Sequence, residues 1–327
     1  MKTIILAGIL GLLTEYLQGQ GYMWQKQLKG TGQANPTQAV QDKYGNYYVY
    51  GNFNGILKID SLTFSAQGQD LFIVKYSPTG NMLWAKIIYG TVTEAAYGFK
   101  LSNTSDAIYF SGSFNSNPIN ILGTNISNTG SGDIFLAKMD LDGNLIWAKN
   151  IAYGTNNQSG GFFDLDNNDN IVMVGIFTSS VTFYNNSGTL TLPPEEPVQK
   201  QSFVAKFDSD GILQWSKMVY SNSDYTTIRN VSTYNNSNEY YLSGQIAGII
   251  KYDENIIANV PSSNRHGFIF KINQNGNFQW SRKIYPKLNN IYVFRQVNDN
   301  NGNVYIAGYF NESLSIALKQ IHQENYI

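Results

Sequence analysis

After residue 21 the apolar residues either alternate with polar ones or fill short runs on both alternating faces. They do not repeat at helical spacing over any useful length. One stretch shows the pattern. A strand-like run, Ala96–Leu101, ends in a turn at Asn103–Asp106, and the β-rich run Ala107–Phe114 follows. After a variable stretch comes Asp133–Met139, and a tight turn, Asp140–Asn144, leads into Leu145–Ile151. That predicts four strands, a to d, joined by hairpin-grade turns.

The pattern recurs. Tryptophans stand at Trp24, Trp84, Trp147, Trp215 and Trp280, in steps of 60, 63, 68 and 65 residues. Their surroundings read GNMLWAK (80–86), GNLIWAK (143–149), GILQWSK (211–217) and GNFQWSR (276–282). Strand b repeats as YYVYGNF (47–53), with counterparts at 108–114, 171–177, 240–246 and 304–310. Its glycines are Gly51, Gly112, Gly175, Gly244 and Gly308. Strand c repeats as FIVK (72–75), FLAK (135–138), FVAK (203–206) and FIFK (268–271). A fixed period of this kind is one supersecondary unit copied in tandem. Strands apolar on both faces need cover on both sides, which radially packed four-stranded blades provide. The fold class expected is all-β, a β-propeller of about five blades.

The repeats fall at about 30–90, 91–154, 155–221 and 222–286, and the last combines 287–327 with 22–29. Strand d around Trp24 has no strands before it, and strands a and b near Ile291–Phe310 have no strand d after them. Matching the two deficits closes the ring and removes sheet edges. One propeller domain is expected over 21–327, monomeric if the ring closes. A strand c for the last blade is hard to find; Leu318–Ile327 lacks its word. Between strands b and c lie variable insertions, such as Val181–Leu192, followed by an acidic Pro-rich loop around Glu195 and Glu196. Such insertions often form a working surface.

The phrase running from Gly45 and Asn46 through Gly51, Phe53, Asp70, Phe72, Lys75, Gly80, Asn81 and Trp84 to Lys86 resembles the SBBP-type bacterial β-propeller repeat. The resemblance covers about Tyr22–Phe310. It implies a secreted or surface protein, often of gliding, polymer-degrading bacteria. Copies three and four depart from it: Asp70 is replaced by Gln201 and His266, and Gly244 is followed by Gln245 and Ile246. The Trp phrase also resembles the docking repeat of quinoprotein-type propellers, where it packs one blade on the next. Neither resemblance carries a catalytic residue onto this chain.

Composition narrows the function. Charged residues are 14%, against about 25% in ordinary soluble proteins, and the net charge is −1. No basic face is available for phosphates, so nucleic acid is not an expected partner. Cysteine is absent, which excludes disulfides and thiolate chemistry. The apolar run Ile4–Leu13 after Lys2 is too short to span a bilayer and reads as a signal peptide over residues 1–20. No other run is long enough for a membrane span. Export to the periplasm, cell surface or medium is expected.

Candidate chemistry is sparse. Asp164, Asp166 and Asn168 alternate oxygens as calcium loops do. Equivalent turns at Ser77–Asn81 and Asn273–Asn277 lack carboxylates, which favours a backbone role. The cation two residues after each tryptophan (Lys26, Lys86, Lys149, Lys217, Arg282) forms a potential anion ring. The competing reading lays each stem over the aromatic. His266 and His322 join no catalytic grouping, and Asp70 and Asp133 read as structural repeats. No catalytic residue, cofactor or metal is assigned beyond the calcium alternative. The expected function is binding or scaffolding, with a protein or carbohydrate ligand at the loop face. The alternative is a glycosidase- or lyase-type enzyme at the central channel.

Overall fold

The computed structural model describes residues 24–185, 188–193, 200–223, 226–234, 239–286, 291–299, 301–310 and 314–315. Residues 1–20, where a signal peptide is expected, and Glu195, Glu196, His322 and Leu318–Ile327 lie outside them. The described residues contain no helix. The fold is all-β and of β-propeller class, with five blade sheets along the chain. The chain divides into two compact units, Met1–Asn150 and Ile151–Ile327.

The first unit holds two blades. Blade one has strands a to d at Ala34–Gln41, Tyr47–Ile59, Leu62–Tyr76 and Met82–Ile88. Blade two has Glu94–Leu101, Ala107–Phe114, Asp133–Asp140 and Leu145–Ala152. The three neighbouring pairs of blade one and pairs a–b and b–c of blade two are antiparallel, and strand d of blade two lies beside strand c. In the second unit, blade three has Gln158–Leu165, Ile171–Phe177, Gln201–Phe207 and Leu213–Ser221. Blade four has Thr227–Thr233, Glu239–Ile246, His266–Asn273 and Phe278–Pro286. The fifth sheet has two strands, Ile291–Asn298 and Val304–Phe310.

Strands b and c are the buried middle of blades one to four, as their two-sided apolar words require. Tyr50, Leu71, Ile73, Phe110 and Phe135 have no exposed surface, and they share one core cluster spanning blades one and two. Val172, Val174, Val204, Leu242 and Phe270 do the same in the second unit. At the first seam Tyr50 stacks on Phe99 at 5.1 Å and donates its hydroxyl to the Ser111 carbonyl at 3.0 Å.

The repeated strand-b glycines have a geometric cause. In all five sheets strand a carries a bulge opposite this position, between Pro36/Gln38, Ala96/Phe99, Gly160/Phe162, Ile228/Asn230 and Val293/Arg295. The bulge pushes backbone toward the partner strand. A Cβ on Gly244 would lie 2.0 Å from the Thr227 carbonyl oxygen, and one on Gly112 would lie 2.6 Å from that of Ala95.

The insertions between strands b and c turn out to serve the preceding strand d. In blade two the hairpin Ile119–Ile121/Thr124–Ile126 bridges Asn120 to Tyr89, just past strand d of blade one. In blade four the hairpin Gly248–Tyr252/Asn255–Val260 pairs with Val219–Ser221 of blade three. Leu314–Ser315 pairs with Tyr285 and Pro286. Lys29–Gly30 pairs with Leu57 and Lys58, the insertion part of blade one. The Trp24 segment therefore stands to blade one as strand d of blade one stands to blade two.

Candidate functional site: an outer groove on blades one and two

Side chains of strand d of blade one and strand d of blade two line a common groove. A groove of about 870 Å³ opens there. One wall is Lys86, Ile87 and Tyr89 and the other runs from Gly143 to Ala148, with Asn120, Leu122, Gly123 and Thr124 at its end. The hairpin end is fixed by its backbone. Leu122 and Gly123 take φ of 48° and 98°, so the turn is left-handed at both positions. The Asn120 side-chain oxygen accepts from Gly123 N at 3.0 Å, and its amide nitrogen donates to Asn125 at 2.7 Å. Tyr89 and Asn120 exchange two backbone hydrogen bonds. These contacts hold an amide and a phenol side by side, with Tyr89 52% exposed.

The opposite wall is strand d of blade two, Leu145–Ala152. Strand d carries an extra residue beside the tryptophan in blades one, three and four, where the register shifts between Lys75/Tyr76, Lys206/Phe207 and Lys271/Ile272. The residue before the tryptophan projects outward: Leu83 is 51% exposed and Ile146 is 54%. The same position holds Gln214 and Gln279 in blades three and four. Among these four blades an apolar residue at this position is found in blades one and two. Lys86 is the one charged residue of the lining among the described residues.

The five repeat tryptophans are half-buried. Trp24 donates its indole N–H to the Pro78 carbonyl at 3.0 Å, Trp84 to Leu141 at 3.3 Å, and Trp215 to Gln274 at 2.9 Å. Each acceptor lies in the c–d turn of the following blade. The turn glycine there makes room: a Cβ on Gly80 would be 2.6 Å from Trp24, and one on Gly276 would be 3.1 Å from Trp215. Trp147 meets Tyr109 edge-on at 6.2 Å, and Trp280 meets Tyr241 at 5.9 Å.

Four of the five cations after the tryptophans are individually engaged. Lys26 pairs with Asp60 at 3.0 Å and Lys217 with Asp253 at 2.7 Å. Both acids sit at hairpin turns with positive φ, 49° and 47°. Lys149 lies over Trp147 at 5.3 Å, and Arg282 over Trp280 at 5.4 Å.

Asp164, Asp166 and Asn168 serve backbone and seam. Asp166 accepts from the backbone of Asn168 and Asn170, from the Asn170 amide and from Tyr240, and it pairs with Lys206 at 3.0 Å. Burial alone would raise its pKa, but the Asn170, Lys206 and Asn168 hydrogen bonds hold it below the ordinary carboxylate value. Asp164 accepts from Thr233 N and Oγ1 of blade four. Asp42, Asp140, Asp208, Asn273 and Asp299 cap equivalent turns, each accepting from the N–H two and four residues on. No group of three histidine, aspartate or glutamate side chains placed to hold a metal occurs among the described residues.

Asp133 is buried and accepts from Thr129, and its second partner is Asn150 at 2.6 Å. His266 is buried, and burial, with Lys283 nearby, lowers its pKa. Glu94 was not singled out by its sequence context, yet it is wholly buried and meets Asp70, which is 2% exposed. The available signal was positional. By strand register the corresponding first residues of strand a are Ala34, Gln158 and Ile291, and only blade two puts an acid there.

No family model matches the chain. A stretch of 192 residues is 28% identical to an uncharacterized WD repeat-containing protein of Acanthamoeba polyphaga mimivirus, covering 51% of this chain and 14% of that protein. The chain thus spans only about a seventh of that relative's length. Among solved structures, a protein of unknown function from Bacteroides caccae aligns over 80% of this chain and 85% of its own, with 10% identity and a TM-score of 0.32. The extracellular domain of a one-component system from B. thetaiotaomicron aligns over 85% and 47%, with 12% identity and a TM-score of 0.21. The repeated four-stranded sheets with docked tryptophans are what define the chain, as a β-propeller repeat protein.

Proposed function

We propose that this chain is a non-catalytic binding module of an exported protein, and that its outer groove takes an extended carbohydrate polymer. One observation carries the reading: the exposed Tyr89 ring stands beside the Asn120 amide, whose orientation is fixed by two hydrogen bonds. A sugar offers an apolar ring face for an aromatic and hydroxyls for amides. Asn144, Thr124 and Lys86 add further polar contacts along an open groove that suits a chain rather than a compact ligand. The turn carboxylates are committed to backbone N–H groups, which supports binding over acid–base chemistry.

The test is a glycan array followed by titration calorimetry with the best polymer. Tyr89→Ala should weaken binding about tenfold, the loss expected from roughly 1.4 kcal/mol of aromatic contact. Gln279→Ala, far along the chain on blade four, should leave affinity unchanged. Failure of the wild type to bind any polymer, or equal affinity of Tyr89→Ala, would overturn the reading.

A further inference from the structure

We propose that the contact between Asp70 and Glu94 is a proton-operated latch across the seam of blades one and two, closed when the pair shares one proton and loosened when both carboxyls are charged. Asp70 lies in strand c of blade one, and Glu94 is the first residue of strand a of blade two. Both are buried.

The hydrogen-bond pattern places the proton. Ser116 donates to Glu94 Oε1, and its own oxygen accepts from Thr91 N at 2.7 Å and Val92 N at 2.9 Å. Gly90 N donates to Asp70 Oδ1 at 3.2 Å. Glu94 Oε2 is buried and receives no donor. The Glu94 side chain interacts with Asp70, which is also an acceptor. Two buried carboxylates cannot face one another without cost, and a proton on Oε2 converts the contact into a hydrogen bond.

The surroundings supply no alternative charge. Strand c of blade one brings Asp70 and the Gln69 amide, which donates to the Glu94 backbone oxygen at 2.8 Å. The segment after strand b of blade two brings Ser116, and the d–a turn brings only backbone N–H groups. Neither carboxyl ion-pairs with lysine, arginine or histidine among the described residues. Burial, and after it the charge of Asp70, push Glu94 up to about 7 against the Ser116 hydrogen bond. Burial also raises Asp70. The turn leaves no slack, since a Cβ on Gly90 would lie 2.1 Å from Ser116 Oγ and 2.8 Å from Glu94 Oε1.

The sign follows from linkage. The folded seam keeps a proton that the unfolded chain releases near the ordinary value of 4.5. Its contribution is intact below that value and declines as pH climbs toward about 7, by up to about tenfold per pH unit in the seam equilibrium. Tyr89 immediately precedes Gly90, so the latch also sets one wall of the groove. That consequence rests on the binding reading, whereas the test below does not.

The melting temperatures of the wild type and Glu94→Gln should be compared from pH 4.5 to 8. The wild-type value should fall relative to the variant between about 5 and 7, because the amide cannot ionise. A flat difference between the two profiles would overturn the latch. Should Glu94→Gln fail to fold, hydrogen exchange at the Gly90, Thr91 and Val92 amides of the wild type serves instead. After correction for intrinsic pH dependence, protection should drop by up to about tenfold per unit across that window. Protection independent of pH would overturn the proposal.

Discussion

The indole N–H of Trp84 donates to the carbonyl of Leu141, 57 residues further along the chain, at 3.3 Å. Trp84 belongs to strand d of blade one and Leu141 to the c–d turn of blade two. The bond therefore joins corresponding parts of consecutive repeats. Lys75 reinforces it from strand c of blade one, donating to the same carbonyl at 2.9 Å with its ammonium 5.1 Å from the Tyr48 ring. Trp84→Ala should cost about 2–4 kcal/mol, below the full value for a wholly buried large aromatic because the ring is half-buried. Trp84→Phe keeps most of the packing and should cost about 0.5–1.5 kcal/mol for the lost indole hydrogen bond, since Lys75 still donates to that carbonyl. Urea midpoints of the two variants measure the split.

Two glycines separate crowding from backbone conformation. Gly244→Ala drives a Cβ to 2.0 Å from the Thr227 carbonyl and should cost about 3 kcal/mol or more. Gly123→Ala meets nothing within 4 Å, but its φ of 98° is strained for an L-residue, at about 1 kcal/mol. Equal losses in chemical unfolding would refute the bulge explanation for the repeated strand-b glycine.

Asp166 gives the opposite pH response to Glu94. Its pKa is depressed, so its contribution is present above the unfolded value of 3.8 and is lost as pH falls through the lower folded value. Asp166→Asn should flatten the acid limb of the melting profile. Lys206→Met leaves that buried carboxylate uncompensated and should cost about 3 kcal/mol at neutral pH.

The cations after the tryptophans test the anion-ring reading. Lys26→Met and Lys217→Met remove partly exposed ion pairs and should each cost under about 1 kcal/mol, less at high salt. Equilibrium unfolding at two ionic strengths checks this. A large loss of binding to a polyanion in either variant would restore the ring as a site.

Period and alternation determined the β class, the four-strand unit and the blade count, because apolar spacing and turn glycines are local properties of the chain. The tryptophan phrase was equally legible, but its acceptors Pro78, Leu141 and Gln274 were not, since each lies about one repeat away. Nor could the strand words tell that the inserted hairpins extend the preceding strand d, as Asn120 does at Tyr89. Insertions of different length hide a common backbone pairing, which depends on hydrogen-bond direction rather than side-chain type. Glu94 was hidden for a related reason. One acid among Ala34, Gln158 and Ile291 looks like repeat drift until packing sets it against Asp70 and removes the water that would have kept both charged. Local pattern specified the blade; only the seam between blades, where distant residues share a dry environment, decided the groove and the acid pair.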